Sequence, residues 1–280
     1  MMKLIKMNLK RLLALVLAMA TILAFSACAQ ENTWEAPCFD GPYDYAYADD
    51  QRSISIRKIY GDQSAGFAVD VQIRDISGFH AGLAQADFEP LSTMAQREGA
   101  VLAINADDYR AHKYGVILRN GETLRVHDTT RHMLAVLPDG SFETVSDRTV
   151  ESPEALAQRL QDQGVQNTFE FGPVLVQNGQ AVDFPAAFDV ISTRDTRREP
   201  RTAIGLISPL HYVILVIDGR QPDYSEGISL QMLQHMFVVL GAQTAINLDG
   251  GGSTELWFRG EILNQPAGGH ERQLSDCIWF

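Results

Sequence analysis

The residues best suited to chemistry sit where apolar runs stop. Thr244-Ala245-Ile246 runs into Asn247-Leu248-Asp249-Gly250-Gly251-Gly252-Ser253-Thr254, Val101 to Ile104 into Asn105-Ala106-Asp107-Asp108-Tyr109, and Val213 to Ile217 into Asp218-Gly219-Arg220. Carboxylates and amides at the ends of buried strands are held rigidly at a sheet edge, where sites of α/β folds tend to form. Three consecutive glycines leave backbone amides uncovered by side chains, so Gly250, Gly251 and Gly252 are expected to form an anion-binding nest. The run fits neither the Gly-x4-Gly-Lys-Ser/Thr of a P-loop nor the Gly-x-Gly-x-x-Gly of dinucleotide folds. Each polar residue taken singly is as readily a turn former or helix cap. Three strand ends carrying them together shift the balance towards function.

The elements that must position these residues can be read from periodicity and punctuation. Thr202 to Ile207 and Tyr212 to Ile217 are nearly all apolar, as strands buried on both faces are. Asn120-Gly121, Asp139-Gly140 and Asn178-Gly179 each follow a β-branched run and predict two-residue hairpins. Helices are expected over Pro90 to Glu98 with Gly99 as a stop, and over Pro153 to Gln161 with Ser152 as cap and Gly164 beyond. A third starts at the Ser229 cap and places Leu230, Leu233, Phe237 and Leu240 on one face, with Ile228 as a staple on Leu233. The succession predicts an α+β or α/β domain: a mixed β-sheet core with packed helices and several β-hairpins.

The N-terminus sets the compartment. Lys3, Lys6, Lys10 and Arg11 precede an apolar run from Leu12 to Phe25, the n-region and h-region of a secretory signal. The run is short for a bilayer-crossing helix, which needs about 20 residues. Phe25-Ser26-Ala27-Cys28 resembles a lipobox, predicting an extracytoplasmic lipoprotein held at the membrane through a lipid on Cys28 once residues 1–27 are removed. Ala27-Cys28-Ala29 also fits the small-x-small rule of ordinary secretion. Residues 28–63 read as a tether and lead-in merging into a first strand near Ser53 to Ile59, and 64–280 as the functional domain. Cys38 and Cys277 would then remain, and an oxidising compartment permits them to pair, although two unrelated free thiols is as good a reading. Losing residues 1–27 takes the formal charge from −12 to −16. So acidic a surface disfavours nucleic acid and anionic lipid as general partners, and a phosphate-bearing substrate must be met by a local cluster of cations and amides.

In chain order, Ala103-Ile104-Asn105-Ala106-Asp107, Gly115-Val116-Ile117 with Asn120-Gly121, Phe171-Gly172-Pro173, Pro200-Arg201-Thr202-Ala203-Ile204-Gly205, Asp218-Gly219-Arg220, Asn247 to Ser253 and Glu271-Arg272 resemble the phosphodiester glycosidase family, over about residues 95 to 280. The resemblance implies hydrolysis of an N-acetylglucosamine-1-phosphodiester to free sugar and phosphomonoester, and links the chain to envelope or exopolysaccharide material. Carried onto matched positions, it implies Asn105, Asp107, Arg201, Asp218, Asn247, Asp249, Ser253 and Arg272 as site residues, with Arg220 beside them. After Asn-Ala-Asp the family often has one or two aromatics. Here Asp108 precedes Tyr109, which puts an extra carboxylate near the site.

A phosphomonoester has a second pKa near 6 and leaves as an anion without full protonation. The site's groups are therefore free to hold phosphate and activate water. Arg201, Arg272 and the amides of Gly250 to Gly252 are the expected phosphate ligands, because guanidinium forks match phosphate oxygens. Asp249 is the first choice for base or nucleophile, with Asp107 or Asp218 as the second carboxylate. The same three aspartates would offer hard oxygen ligands, which makes Ca²⁺ or Mg²⁺ a candidate cofactor. The seven histidines are scattered, with no zinc spacing. Expected partners are a carbohydrate or sugar-phosphate substrate and, through the lipid anchor, a membrane. Two other classes stay open: a non-catalytic carbohydrate-binding envelope lipoprotein, and a phosphodiesterase or transferase attacking phosphorus.

Overall fold

The computed structural model describes residues 42–129, 131–145, 151–184 and 197–280. The expected signal segment, Cys28 and Cys38 lie outside them. Among the described residues the chain is strand-rich, and every strand ladder is antiparallel.

The backbone of the fold is an eight-stranded sheet, in spatial order Tyr45–Ala48, Arg52–Gly61, Ser64–Ile73, His211–Ile217, Arg201–Ser208, Thr244–Asn247, Val174–Gln177 and Gln180–Ala181. Alternation divides its side chains between two cores. Ile204, Ile214, Val216 and Ile246 pack with Leu102, Ile104, Leu134, Phe169, Ile278 and Phe280, which come from two smaller sheets. Ala203, Val213, Leu215 and Ile217 face the other way, against Leu230, Leu233 and Phe237 of a helix. Both faces are thus covered, which explains the unbroken apolar runs. Such runs do not distinguish a covered antiparallel sheet from a parallel one, and the mixed sheet expected from them is here antiparallel. Of the two fold classes expected, α+β holds and α/β does not.

The smaller sheets carry Glu261–Ile262, Leu256–Phe258, Leu102–Asn105, Asp276–Trp279 and His80–Leu83 in one, and Phe142–Val145, His132–Val136 and Asn167–Phe171 in the other. Helix α1 (Leu91–Glu98) buries Leu91, Met94 and Ala95 against Ala103, Trp257 and Cys277, and ends on left-handed Gly99. Helix α2 (Pro153–Asp162) has the Ser152 side chain accepting from Ala155 N and packs Leu156 and Leu160 on Val116 and Met133. Helix α3 (Leu230–Val239) has the Ser229 side chain accepting from Met232 N. Ile228 lies with Leu233 in one cluster, as a staple requires. None of these helices is long and apolar enough to cross a membrane.

Two details depart from expectation. The strand expected near Ser53 to Ile59 is Arg52–Gly61, and a further strand, Tyr45–Ala48, pairs with it inside the segment expected as tether. Asn120-Gly121 and Asn178-Gly179 take positive φ at both residues, as two-residue hairpins demand. At Asp139-Gly140 only the glycine does, and Phe142 pairs with Val136, leaving a five-residue loop. The Asp139 carboxylate accepts from both Ser141 N and Ser141 Oγ there, which favours an ordinary turn over the left-handed one.

Candidate active site

Asn105 ends a strand of the five-stranded sheet, and Asp249 lies two residues beyond the Thr244–Asn247 strand of the large sheet. Asp249 N donates to Ala106 O at 3.0 Å, and Asn105 Nδ2 donates to Asp249 O at 2.6 Å. Asn105 Oδ1 accepts from Thr202 Oγ1 at 2.7 Å and from Glu255 N at 3.2 Å. Buried Asn105 therefore spends its amide clipping the two sheets together, and the position of Asp249 is a consequence of that clip.

The glycine run works sterically more than as a nest. Gly250 N donates to its neighbour's carboxylate, Asp249 Oδ1, at 2.9 Å, and Gly251 N to Pro200 O at 2.9 Å. Two of the three amides expected to meet an anion are thus used internally. A Cβ on Gly250 would lie 2.8 Å from Pro200 O, one on Gly251 2.8 Å from Arg220 Nη2, and one on Gly252 3.2 Å from Arg272 Nη1. The missing side chains leave room for two guanidinium groups to lie over the turn.

Those two arginines define a cavity of about 290 Å³, lined by Arg220, Gly252, Ala267, Gly268, His270 and Arg272. Arg272 Nη1 donates to Ser253 Oγ at 3.4 Å, and Ser253 is in turn bonded to the Asp249 carboxyl. Burial pushes that carboxyl up to about 6, with Asp108 adding to the rise and Ser253, Gly250 N and Arg272 opposing it. Arg220 takes a left-handed backbone (φ 60°) and its Nε donates to Glu199 at 2.6 Å. The Arg272 loop is docked on the start of α1: Glu271 accepts from Ser92 N at 2.8 Å and Ser92 Oγ at 2.6 Å, and Glu255 accepts from Arg272 N at 2.5 Å. Burial raises the Glu255 carboxyl to about 8, so it stays protonated at neutral pH.

The other expected groups are placed differently. Asp107 is fully buried, 2.6 Å from Arg119 Nη2, and accepts from Glu170 N at 2.6 Å. The same nitrogen of Arg119 lies 2.7 Å from Asp276. Burial alone would raise Asp107, but Arg119, Asp276 and the Glu170 amide hold it below the usual range, whereas burial and Asp107's charge drive Asp276 well above it. One guanidinium thus balances one ionised and one protonated carboxyl. Asp218 accepts from Asn264 Nδ2 at 2.8 Å, Tyr224 Oη at 3.0 Å and Gln265 N at 3.1 Å, and so anchors the loop after Ile262. Every oxygen of both expected second carboxylates is engaged by a protein donor. Arg201 faces α3's side of the sheet, with Nε donating to Ile228 O at 3.2 Å and Nη2 to Arg197 O at 3.2 Å. Asn247 Nδ2 donates to Gly172 O at 2.9 Å and Leu248 O at 3.0 Å, binding the Phe171-Gly172-Pro173 turn.

Of the expected site residues, then, Asp249, Ser253, Gly252, Arg220 and Arg272 come together, while Asn105, Asp107, Asp218, Arg201 and Asn247 are bonded within the protein around them, Asn247 keeping its Oδ1 buried without a partner. Among the described residues no group of three His, Cys, Asp or Glu is arranged to hold a metal ion, so the aspartates proposed as Ca²⁺ or Mg²⁺ ligands do not form a set. Cys277 is buried under α1, and its pairing with Cys38 falls outside the described residues. Arg119, Glu255 and Asp276 were not legible as site residues. A buried arginine in a hairpin or an aspartate next to the last apolar strand carries no local signal, although the Glu255 position beside the glycine run is a hint.

A model of the phosphodiester glycosidase family matches residues 98–280. A prophage-derived uncharacterized protein of Bacillus subtilis is 29% identical over 197 residues, 68% of this chain and 29% of its own length. The chain thus spans under a third of that relative. Among solved structures, the catalytic domain of zebrafish N-acetylglucosamine-1-phosphodiester alpha-N-acetylglucosaminidase, auto-inhibited by its pro-peptide, superposes with a TM-score of 0.65 at 17% identity, over 89% of this chain and 87% of that one. A hypothetical protein from Synechocystis gives 0.56 at 16% identity, over 86% and 64%.

Proposed function

Because the chain belongs to the phosphodiester glycosidase family, we propose that it hydrolyses a sugar-1-phosphodiester at the anomeric carbon, releasing free sugar and a phosphomonoester. The observation that carries this reading is Asp249, a partly accessible carboxyl at about 6, bonded to Ser253 beside a cavity walled by two arginines. Arg220 and Arg272 hold the phosphate oxygens with bidentate forks. Ionised Asp249 takes the proton of the attacking water, or attacks the carbon itself. The C1–O bond breaks and its electron pair leaves with the phosphate, whose arginine-neutralised charge makes it a competent leaving group without an acid.

An N-acetylglucosamine-like sugar on envelope or exopolysaccharide material is the substrate we favour, on the family resemblance and the secretory signal. Lipid anchorage through Cys28 is part of the same reading. Loss of fatty-acid labelling and of membrane association in Cys28→Ala would support it, and retention in the membrane would refute it.

The activity is tested by free-sugar release from UDP-N-acetylglucosamine and simpler N-acetylglucosamine-1-phosphodiesters by residues 29–280. Turnover should place ¹⁸O from labelled water in the sugar. Label in the phosphate would instead mean attack at phosphorus, and binding of envelope glycans without any turnover would mean a non-catalytic binding protein.

A further inference from the structure

Glycoside hydrolysis ordinarily uses two carboxylates, and the structure leaves Asp249 without either of the partners expected for it. Each remaining acid around it can be followed to its bonds. Asp107 and Asp276 belong to Arg119, Asp218 to Asn264, Gln265 and Tyr224, Glu255 to Arg272 N, and Glu271 to Ser92. Glu255 also keeps a shielded, unpartnered oxygen, Oε2, but of these acids only Asp108 raises Asp249 through its charge. Asp108 is partly exposed, and its Oδ1 is shielded from solvent with no hydrogen-bond partner among the described residues.

Its backbone supports the same view. Asp108 sits at φ 50°, in the left-handed region, and its amide is fixed by donating to Asp276 Oδ1 at 3.1 Å. A non-glycine residue kept in that region is held there by its surroundings, and such residues cluster at functional sites. His112, which burial lowers and so leaves neutral at pH 7, has both ring nitrogens likewise shielded and unpartnered. No described cation forms a salt bridge with Asp108.

We propose that Asp108 is the second working carboxylate of the reaction, holding the attacking water against Asp249. A shielded acceptor with no protein partner is where an ordered water binds. One hydrogen of that water is held by Asp108 Oδ1 and the other is transferred to Asp249 as the oxygen bonds to C1. The C1–O bond to phosphate breaks, and its electron pair departs with the phosphomonoester. The negative charge of Asp108 keeps Asp249 more basic than it would otherwise be.

The inference rests on the glycosidase reading, and two variants test it. Asp108→Asn and Asp108→Gly both tolerate the left-handed backbone, so the fold should persist, with Tm within a few degrees of wild type. Both should lower kcat roughly 10²- to 10³-fold, the range of a lost acid–base group, with KM within about threefold. In either variant the midpoint of Asp249, followed by carboxyl ¹³C NMR without substrate, should move below about 6. Wild-type turnover with unchanged kcat in Asp108→Asn would overturn the proposal alone. An unmoved Asp249 midpoint would overturn its electrostatic half. A wild-type protein inactive on every sugar-1-phosphodiester would remove the glycosidase reading, and this proposal with it.

Discussion

In the proposed reaction Asp249 is the residue on which the chemistry turns, and its protonation then fixes a pH dependence. As base or nucleophile it works only when ionised, so kcat/KM should rise through about pH 6 and level off above it. A profile falling through that pH would make Asp249 an acid and reverse its role. Asp249→Asn should lose about 10³-fold or more in kcat while still binding a phosphate product through Arg220 and Arg272. Asp107 should respond in the opposite way: its loss is a matter of folding. Asp107→Asn leaves a buried Arg119 half-paired and should destabilise by about 3 to 5 kcal/mol in a denaturant titration, with residual activity in whatever fraction stays folded. The sequence could not separate these two aspartates. Both stand at the end of an apolar run, but one has Ser253 and Arg272 beside it, and the other meets Arg119 and, from 169 residues away, Asp276. Local pattern reports that a carboxylate is at a sheet edge, and only the fold reports what it is bonded to.

Among the elements, the helices were legible because capping and stop residues are local devices. Ser229 bonds Met232 N as its position suggested, and Ser229→Ala should cost about 1 kcal/mol. Helix α1 shows the limit of such reading. Pro90 offers it no side-chain cap, and the first turn is satisfied by carboxylates arriving from Glu271 and Glu255 across the fold. The helix thereby becomes the mount for Arg272. Glu271→Ala should therefore raise KM for a phosphodiester several-fold with little change in kcat, and a Glu271→Gln variant, which still accepts from Ser92, should recover most of the loss. A turn element gives a harsher test. A Cβ on Gly115 would lie 1.4 Å from Glu170 Oε2 at a φ of 94°, so Gly115→Ala should destabilise by at least about 3 kcal/mol.

At the scale of the whole molecule, several buried carboxyls pull in one direction. Glu255 and Asp249 are raised to about 8 and about 6, above their unfolded values near 4. The folded state then binds more protons than the unfolded one between those limits, and stability falls as pH rises through about 6 and again through about 8. Asp107 is held low and works the other way, losing its contribution below about pH 4. Denaturation midpoints should peak near pH 4 to 5, and Glu255→Gln should flatten the decline between about pH 6 and 8. With the proposed activity, the protein would thus be most active where it is not most stable. The position of the Asp276–Trp279 strand, inside its sheet between Leu102–Asn105 and His80–Leu83, carries a further consequence for the order of events at the ribosome. These residues follow every other strand of that sheet in the chain, yet they supply its middle, core residues Ile278 and Phe280, and the carboxyl that completes the Arg119 cluster. The other strands of that sheet must wait for them, so the sheet cannot close on a nascent chain until it has been made as far as Phe280.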